Sequence, residues 1–207
     1  MCMRCEGAAA GKERDRKGTM MGCARRYLWG IGLLLGISIL LSALPAEAAE
    51  PIRIGAIFSV TGPASFLGEP ERNTAKMLEE DLNRDGGLLG RKVEVIVYDD
   101  ESDATKAVTA VDRLVKRDRV AAIVGPSTSG SSLAIISKIE EAQIPLLSCA
   151  AAKKIADPVK RWVFKTPQND QQMAIAIAAH MANAGVKTVA FIGFNDAYGE
   201  GWYQEFI

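Results

Sequence analysis

From residue 51 onward the chain alternates between two hydrophobic periods. The apolar run 52–58 (Ile-Arg-Ile-Gly-Ala-Ile-Phe) has the length and composition of a buried strand and leads into the turn residues Thr61-Gly62-Pro63. Over 68–85 the apolar residues Ala75, Leu78 and Leu82 recur at helical spacing and stop at Gly86-Gly87. Residues 93–98 predict a strand ending at Asp99-Asp100, and 105–117 a helix carrying Val108, Val111, Leu114 and Val115. A strand at 120–124 stops at Gly125-Pro126, a helix follows over 130–142, and another strand over 144–147. Strand and helix in alternation with short loops predict an α/β fold, a doubly wound parallel sheet with helices on both faces. Beyond it, 162–165 predicts a crossing strand and 166–169 a linker, and Asp170 is placed to cap a helix running to Asn183. Ala184-Gly185 ends that helix, 188–193 predicts a strand, and 195–207 opens a further helix.

The region ahead of residue 50 has a different character. Arg25 and Arg26 precede an apolar run at 27–44, followed by Pro45-Ala46-Glu47-Ala48-Ala49. A basic segment, an apolar segment and a small-residue Ala-x-Ala site predict a cleavable secretory signal peptide within 1–49, with Met20 or Met21 as the expected true start. The competing reading is a retained membrane anchor, since 18 residues is about the lower limit for a spanning helix. Its three glycines and the helix-breaking Pro45 beside Ala-x-Ala favour cleavage and a periplasmic product. Of 25 basic and 25 acidic residues, seven and four fall within 1–49, so the remaining 158 residues carry a net charge of −3. That balance argues against nucleic acid, which requires a concentrated basic face. Cys2, Cys5 and Cys23 lie in the leader, which leaves Cys149 as a small buried residue near a strand end.

The sharpest local feature is Gly125-Pro126-Ser127-Thr128-Ser129-Gly130, where a strand ends and a helix begins. The free N–H groups and positive dipole of such a helix start suit a carboxylate or phosphate, and open parallel sheets bind ligands beyond the carboxyl ends of their strands. Plain N-capping by Ser127 or Ser129 explains the same residues equally well. The segment is also one residue away from a nucleophile elbow, but a serine hydrolase needs a histidine partner. His180 sits mid-helix on a small apolar face, where a structural role is expected. The acidic run Asp99-Asp100-Glu101-Ser102-Asp103 could hold a divalent cation, with capping of the next helix by Asp103 as the plainer reading. In Asn195-Asp196-Ala197-Tyr198-Gly199-Glu200-Gly201 an aromatic on a loop at the same edge could form a lid.

Six motifs in order resemble one family. They are Ile54-Gly55 through Thr61-Gly62-Pro63, Asn83-Arg84-Asp85-Gly86-Gly87-Leu88-Leu89-Gly90, Tyr98-Asp99-Asp100, Val124-Gly125-Pro126-Ser127-Thr128-Ser129, Ile144-Pro145, and Asp196-Ala197-Tyr198-Gly199-Glu200-Gly201. The chain resembles the leucine/isoleucine/valine-binding type of periplasmic solute-binding protein, the type I fold that feeds ABC importers. The resemblance implies a first lobe over 50–161, and a hinge crossing with the start of a second lobe over 162–207. The rest of the second lobe would lie beyond Ile207, so a chain cut short is expected, unable to close on ligand with native affinity and exposing apolar sheet surface. It implies a small ligand, often an amino acid, bound without catalysis, membrane permease subunits as partners, and no cofactor. It places the ligand carboxylate on Ser127, Thr128 and Ser129, and the amino group on the carbonyl of Ala150 and a hydroxyl at position 152. Tyr198 would cover the ligand from the second lobe. Position 152 is alanine here, which shifts the expectation towards a carboxylate or amide without an amino group, such as an aromatic acid. Phe66-Leu67 would form an apolar wall. The alternatives are a ligand-sensing receptor ectodomain of the same fold and, more remotely, a secreted serine hydrolase.

Overall fold

The computed structural model describes residues 49–207; residues 1–48, with the expected signal peptide, lie outside them. Five strands, β1 (Ile52–Phe58), β2 (Val93–Asp99), β3 (Ala122–Val124), β4 (Leu146–Ser148) and β5 (Val163–Lys165), form one sheet in the order β2-β1-β3-β4-β5. Every pairing is parallel, so each connection must cross over; α-helices do this up to β4, and a loop with one 3-10 turn, Lys153–Ile155, joins β4 to β5. The helices are α1 (Ser65–Arg84), α2 (Ala104–Arg113) and α3 (Ser129–Ala142), followed after β5 by α4 (Asp170–Asn183) and α5 (Ala197–Phe206). From β1 the chain steps outward to β2, then reverses through β3 to β5. The loops after β1 and β3 therefore diverge, leaving a crevice at the carboxyl edge where such sheets take ligands.

The core lies between the sheet and the helices α2 and α3. Ile57, Ile123, Leu146 and Val163 from four strands meet Ala107, Ala110, Val111 and Leu114 from the α2 segment and Ile135 and Ile139 from α3. Each of the Ile, Leu and Val side chains among them contributes about 1.5–3 kcal/mol by leaving water. Helix α1 packs against β1 and β2. Its approach is closest at Gly68, where a Cβ would collide with the backbone of Ser59.

Several boundaries differ from expectation for identifiable reasons. Helix α1 starts before Gly68 because its first turn is closed by the backbone, Ser65 N donating to Gly62 O at 3.1 Å and Gly68 N to Ala64 O at 3.3 Å. The helix expected to reach Arg117 ends at Arg113 and widens into one π turn, Leu114–Asp118, closed by Arg119 at φ 53°. Asn169, not Asp170, caps α4: its side chain accepts from Gln172 N at 2.8 Å, while Gln172 Oε1 accepts from Asn169 N at 3.1 Å. The strand expected over 188–193 is absent. A strand exists through its ladder partners, and these residues have none among the described residues, leaving Val189, Phe191 and Ile192 exposed.

Candidate functional site

The carboxyl ends of β1, β3 and β4 meet beneath the start of α1. Gly125, at φ 91°, lets β3 leave past β1, since a Cβ there would meet the carbonyl oxygen of Ile57. The three hydroxyl residues that follow have separate tasks. Thr128 is the N-cap of α3, its Oγ1 accepting from Ser131 N at 3.4 Å, which corrects the expectation that Ser127 or Ser129 would cap. Ser127 turns towards β1: its Oγ accepts from Ser59 N at 3.0 Å and donates to the Glu71 carboxylate of α1. Ser129 turns towards the loop after β4, where its Oγ accepts from Ala152 N at 3.3 Å.

That loop is fastened at two more points. Cys149 N donates to Pro126 O at 3.2 Å, and Ala150 N to Ser148 Oγ, itself 2.7 Å from Ser132 Oγ. The structure thus brings Ser127, Thr128, Ser129, Ala150 and Ala152 together at one edge. Ala150 and Ala152 bury their methyl groups in the core. Ser131, in the first turn of α3, is buried and its Oγ has no hydrogen-bond partner among the described residues. Lys165, at the end of β5, donates from Nζ to Ala151 O, and burial lowers its pKa.

Tyr198 comes from a different element, α5, which packs against α3. It lies in the first turn of α5 instead of on a loop, because Asp196 caps that helix, accepting from Tyr198 N at 3.0 Å and Gly199 N at 2.8 Å. Its ring meets Trp202 edge-on, with centroids 6.3 Å apart. His180 is exposed on α4, whereas the Ser127 hydroxyl is bonded to Ser59 and Glu71, so the pair a serine hydrolase needs is not assembled. Phe66 and Leu67 are both exposed.

The acidic run ties loops together. Asp99 accepts from Thr61 Oγ1 at 2.7 Å and from Glu101 N at 2.8 Å; Asp100 accepts from Ser59 Oγ at 2.7 Å and from Ser102 N at 2.9 Å. Asp103 caps α2 through Thr105 N and Lys106 N. Burial opposes ionisation of Asp99, but the bonds from Thr61 and the backbone outweigh it and hold the carboxyl below its ordinary value. Among the described residues no group of three or more His, Cys, Asp or Glu is placed to hold a metal.

The residue that sequence reasoning missed is Glu71. It is one acid among several on a polar helix, and the signal that could have found it is its spacing of three from Gly68, which places both on the face pressed against β1. Burial pushes its pKa up, the bonds from Ser127 and Cys149 pull it down, and Asp100 adds to the rise, which prevails. The Cys149 thiol is pushed up to about 12 by burial and by the neighbouring Glu71 charge.

A model of the family described as periplasmic binding protein matches residues 51–206. A Leu/Ile/Val-binding protein of Rhizobium johnstonii is 31% identical over 163 residues, covering 77% of this chain and 44% of its own. A leucine-, isoleucine-, valine-, threonine- and alanine-binding protein of Pseudomonas aeruginosa is 30% identical over 74% of this chain and 42% of its own. Among solved structures, an extracellular ligand-binding receptor from Rhodopseudomonas palustris HaA2 superposes with a TM-score of 0.70 at 38% identity, covering 75% of this chain and 42% of that one. The chain spans less than half the length of these relatives.

Proposed function

Because the chain belongs to the periplasmic binding protein family, matched over residues 51–206, we propose that it is the extracytoplasmic substrate-binding component of an ABC importer. Its ligand is a branched-chain amino acid or a related small carboxylate or amide, held without catalysis. A permease in the membrane is its partner, and the periplasm its compartment. The carrying observation is the edge where Ser127, Thr128 and Ser129 open α3 beside Ala150 and Ala152, with Ser129 bonded across to Ala152 N. A 14-residue helix starting at that edge presents free N–H groups to a ligand's polar end. The relatives that bind leucine, isoleucine and valine support the amino-acid class. The buried methyl of Ala152, where the family resemblance implies a hydroxyl, supports extending that class to ligands without an amino group. Tyr198, on α5, is the residue we assign to covering the ligand.

Calorimetric titration with leucine, isoleucine, valine and benzoate tests the reading. Saturable binding of one of them, weakened at least about tenfold by Ser127→Ala through the lost hydrogen bond, is the expected result. Absence of binding for all four, or turnover of an ester substrate that depends on Ser127, would overturn it.

A further inference from the structure

We propose that Lys153 is a positioning residue for the ligand edge: together with Asp170 it docks α5 so that Tyr198 faces the strand ends. The inference rests on the binding role proposed above and extends it to residues that need touch no ligand.

Lys153 directly follows Ala152, whose N–H is held by Ser129 Oγ, and it opens the 3-10 turn after β4. Its backbone N–H donates to Asp170 Oδ1 at 2.9 Å, and its Nζ reaches Glu205 Oε1 of α5 at 3.4 Å. The side chains of Lys153 and Glu205 are 28% and 22% exposed, so this pair is sheltered; the second partner of Lys153, Asp157 at 3.9 Å, is largely exposed. Asp170 is buried at the start of α4, where its Oδ1 also accepts from Gln171 N at 3.0 Å and the charge of Lys165 acts on it. Helix α5 comes so close there that a Cβ on Gly201 would lie 2.7 Å from Asp170 Oδ2. A methyl group at that position must displace either α5 or the carboxylate that fastens Lys153.

Both contacts lie on one face of α5. Tyr198, Gly201, Trp202 and Glu205 follow the spacing i, i+3, i+4, i+7, which is a stripe along one side of a helix. Glu200, Tyr203 and Gln204, on the opposite side, are exposed. The face that brings Gly201 to Asp170 and Glu205 to Lys153 is therefore the face that carries Tyr198. Helix α5 also packs against α3, whose first residues belong to the site. The path between the two halves of the site is short: Ser129 holds Ala152, and the next residue, Lys153, holds the helix bearing Tyr198. A ligand that orders the loop at Ala152 also orders α5, and loss of the Lys153 contact uncouples them.

Amide hydrogen exchange of the 207-residue chain, read by mass spectrometry, tests the docking in wild type, Lys153→Gln, Glu205→Gln, the double glutamine variant, Lys153→Arg and Gly201→Ala. Calorimetry on the same proteins gives the affinity for the tightest binder among leucine, isoleucine, valine and benzoate. In either glutamine variant the α5 amides should exchange about two- to fivefold faster with β1 unchanged, and affinity should fall by a similar factor. The double variant should match the single ones, because the same contact is lost only once, and Lys153→Arg should behave as wild type. In Gly201→Ala exchange should also quicken; alanine favours a helix over glycine, so that result reports displacement from Asp170. Unchanged α5 exchange in the glutamine variants, additive effects in the double variant, or slower exchange in Gly201→Ala overturns the inference. So does faster exchange with affinity unchanged, which would leave the pair a plain packing contact and the binding role intact. If wild type binds none of the four ligands, the binding role falls and the inference with it, even where the exchange results hold.

Discussion

At Ser127 a single hydroxyl ties the end of β3 to the end of β1 through Ser59 N and to α1 through Glu71, and the neighbouring residues carry equally local consequences. Thr128→Ala removes the α3 cap and should lower stability by about 1 kcal/mol, read as a shift of the urea midpoint at constant slope. Gly125→Ala should cost more, because it adds a collision with Ile57 O to an unfavourable left-handed conformation. Cys149, held near pKa 12 by burial and Glu71, should alkylate far more slowly than an exposed thiol at pH 8, and Glu71→Gln should speed it by removing a charge. Labelling rates followed by mass spectrometry check both. Of these residues, the hydroxyl turn was legible because strand end, small residues and helix start fall within six positions. Glu71 was not, since its role comes from helix docking, which periodicity does not report.

Among the elements, the sheet was readable almost residue for residue at β1, where six of seven residues are apolar or small and leave little choice. The errors cluster where a tertiary partner decides. Residues 120–121 read as strand, yet Val120 N is drawn back to Leu114 O at 3.2 Å, and the first bond to β1 is Ala121 N to Arg53 O at 2.8 Å, just ahead of β3. Residues 188–193 have strand composition and lack a ladder. The loops after β1 and β2 are joined by a carboxylate: Asp99 bonds Thr61 and Glu101 N, and these bonds hold it below its ordinary pKa. A group with a lowered folded-state pKa adds stability above the unfolded value, near 3.9, and loses it as pH falls through the folded one. Acid unfolding monitored by circular dichroism should therefore show Asp99→Asn less stable than wild type at pH 6, with the difference vanishing near pH 2.

Across the whole described molecule, one sheet face is well covered and the other is not. Leu146 and Val163 are buried beneath α3, whereas Leu147 and Phe164, paired across β4 and β5 on the opposite face, are 38% and 52% exposed. Paired Leu147 and Phe164 form apolar surface of the kind that drives association, and Ile192 and Phe194 are exposed as well. Light scattering behind a sizing column should find the 207-residue chain self-associating, and Phe164→Ser should reduce this without lowering the melting temperature by more than a few degrees. The central claim remains that the strand-end edge is a ligand site. Its most direct test is an amide chemical-shift titration of the labelled chain with leucine and benzoate at pH 5.5. Saturable shifts centred on Ser127, Ser129, Cys149 and Ala152 are predicted; shifts confined to other surfaces, or none up to millimolar ligand, would contradict it.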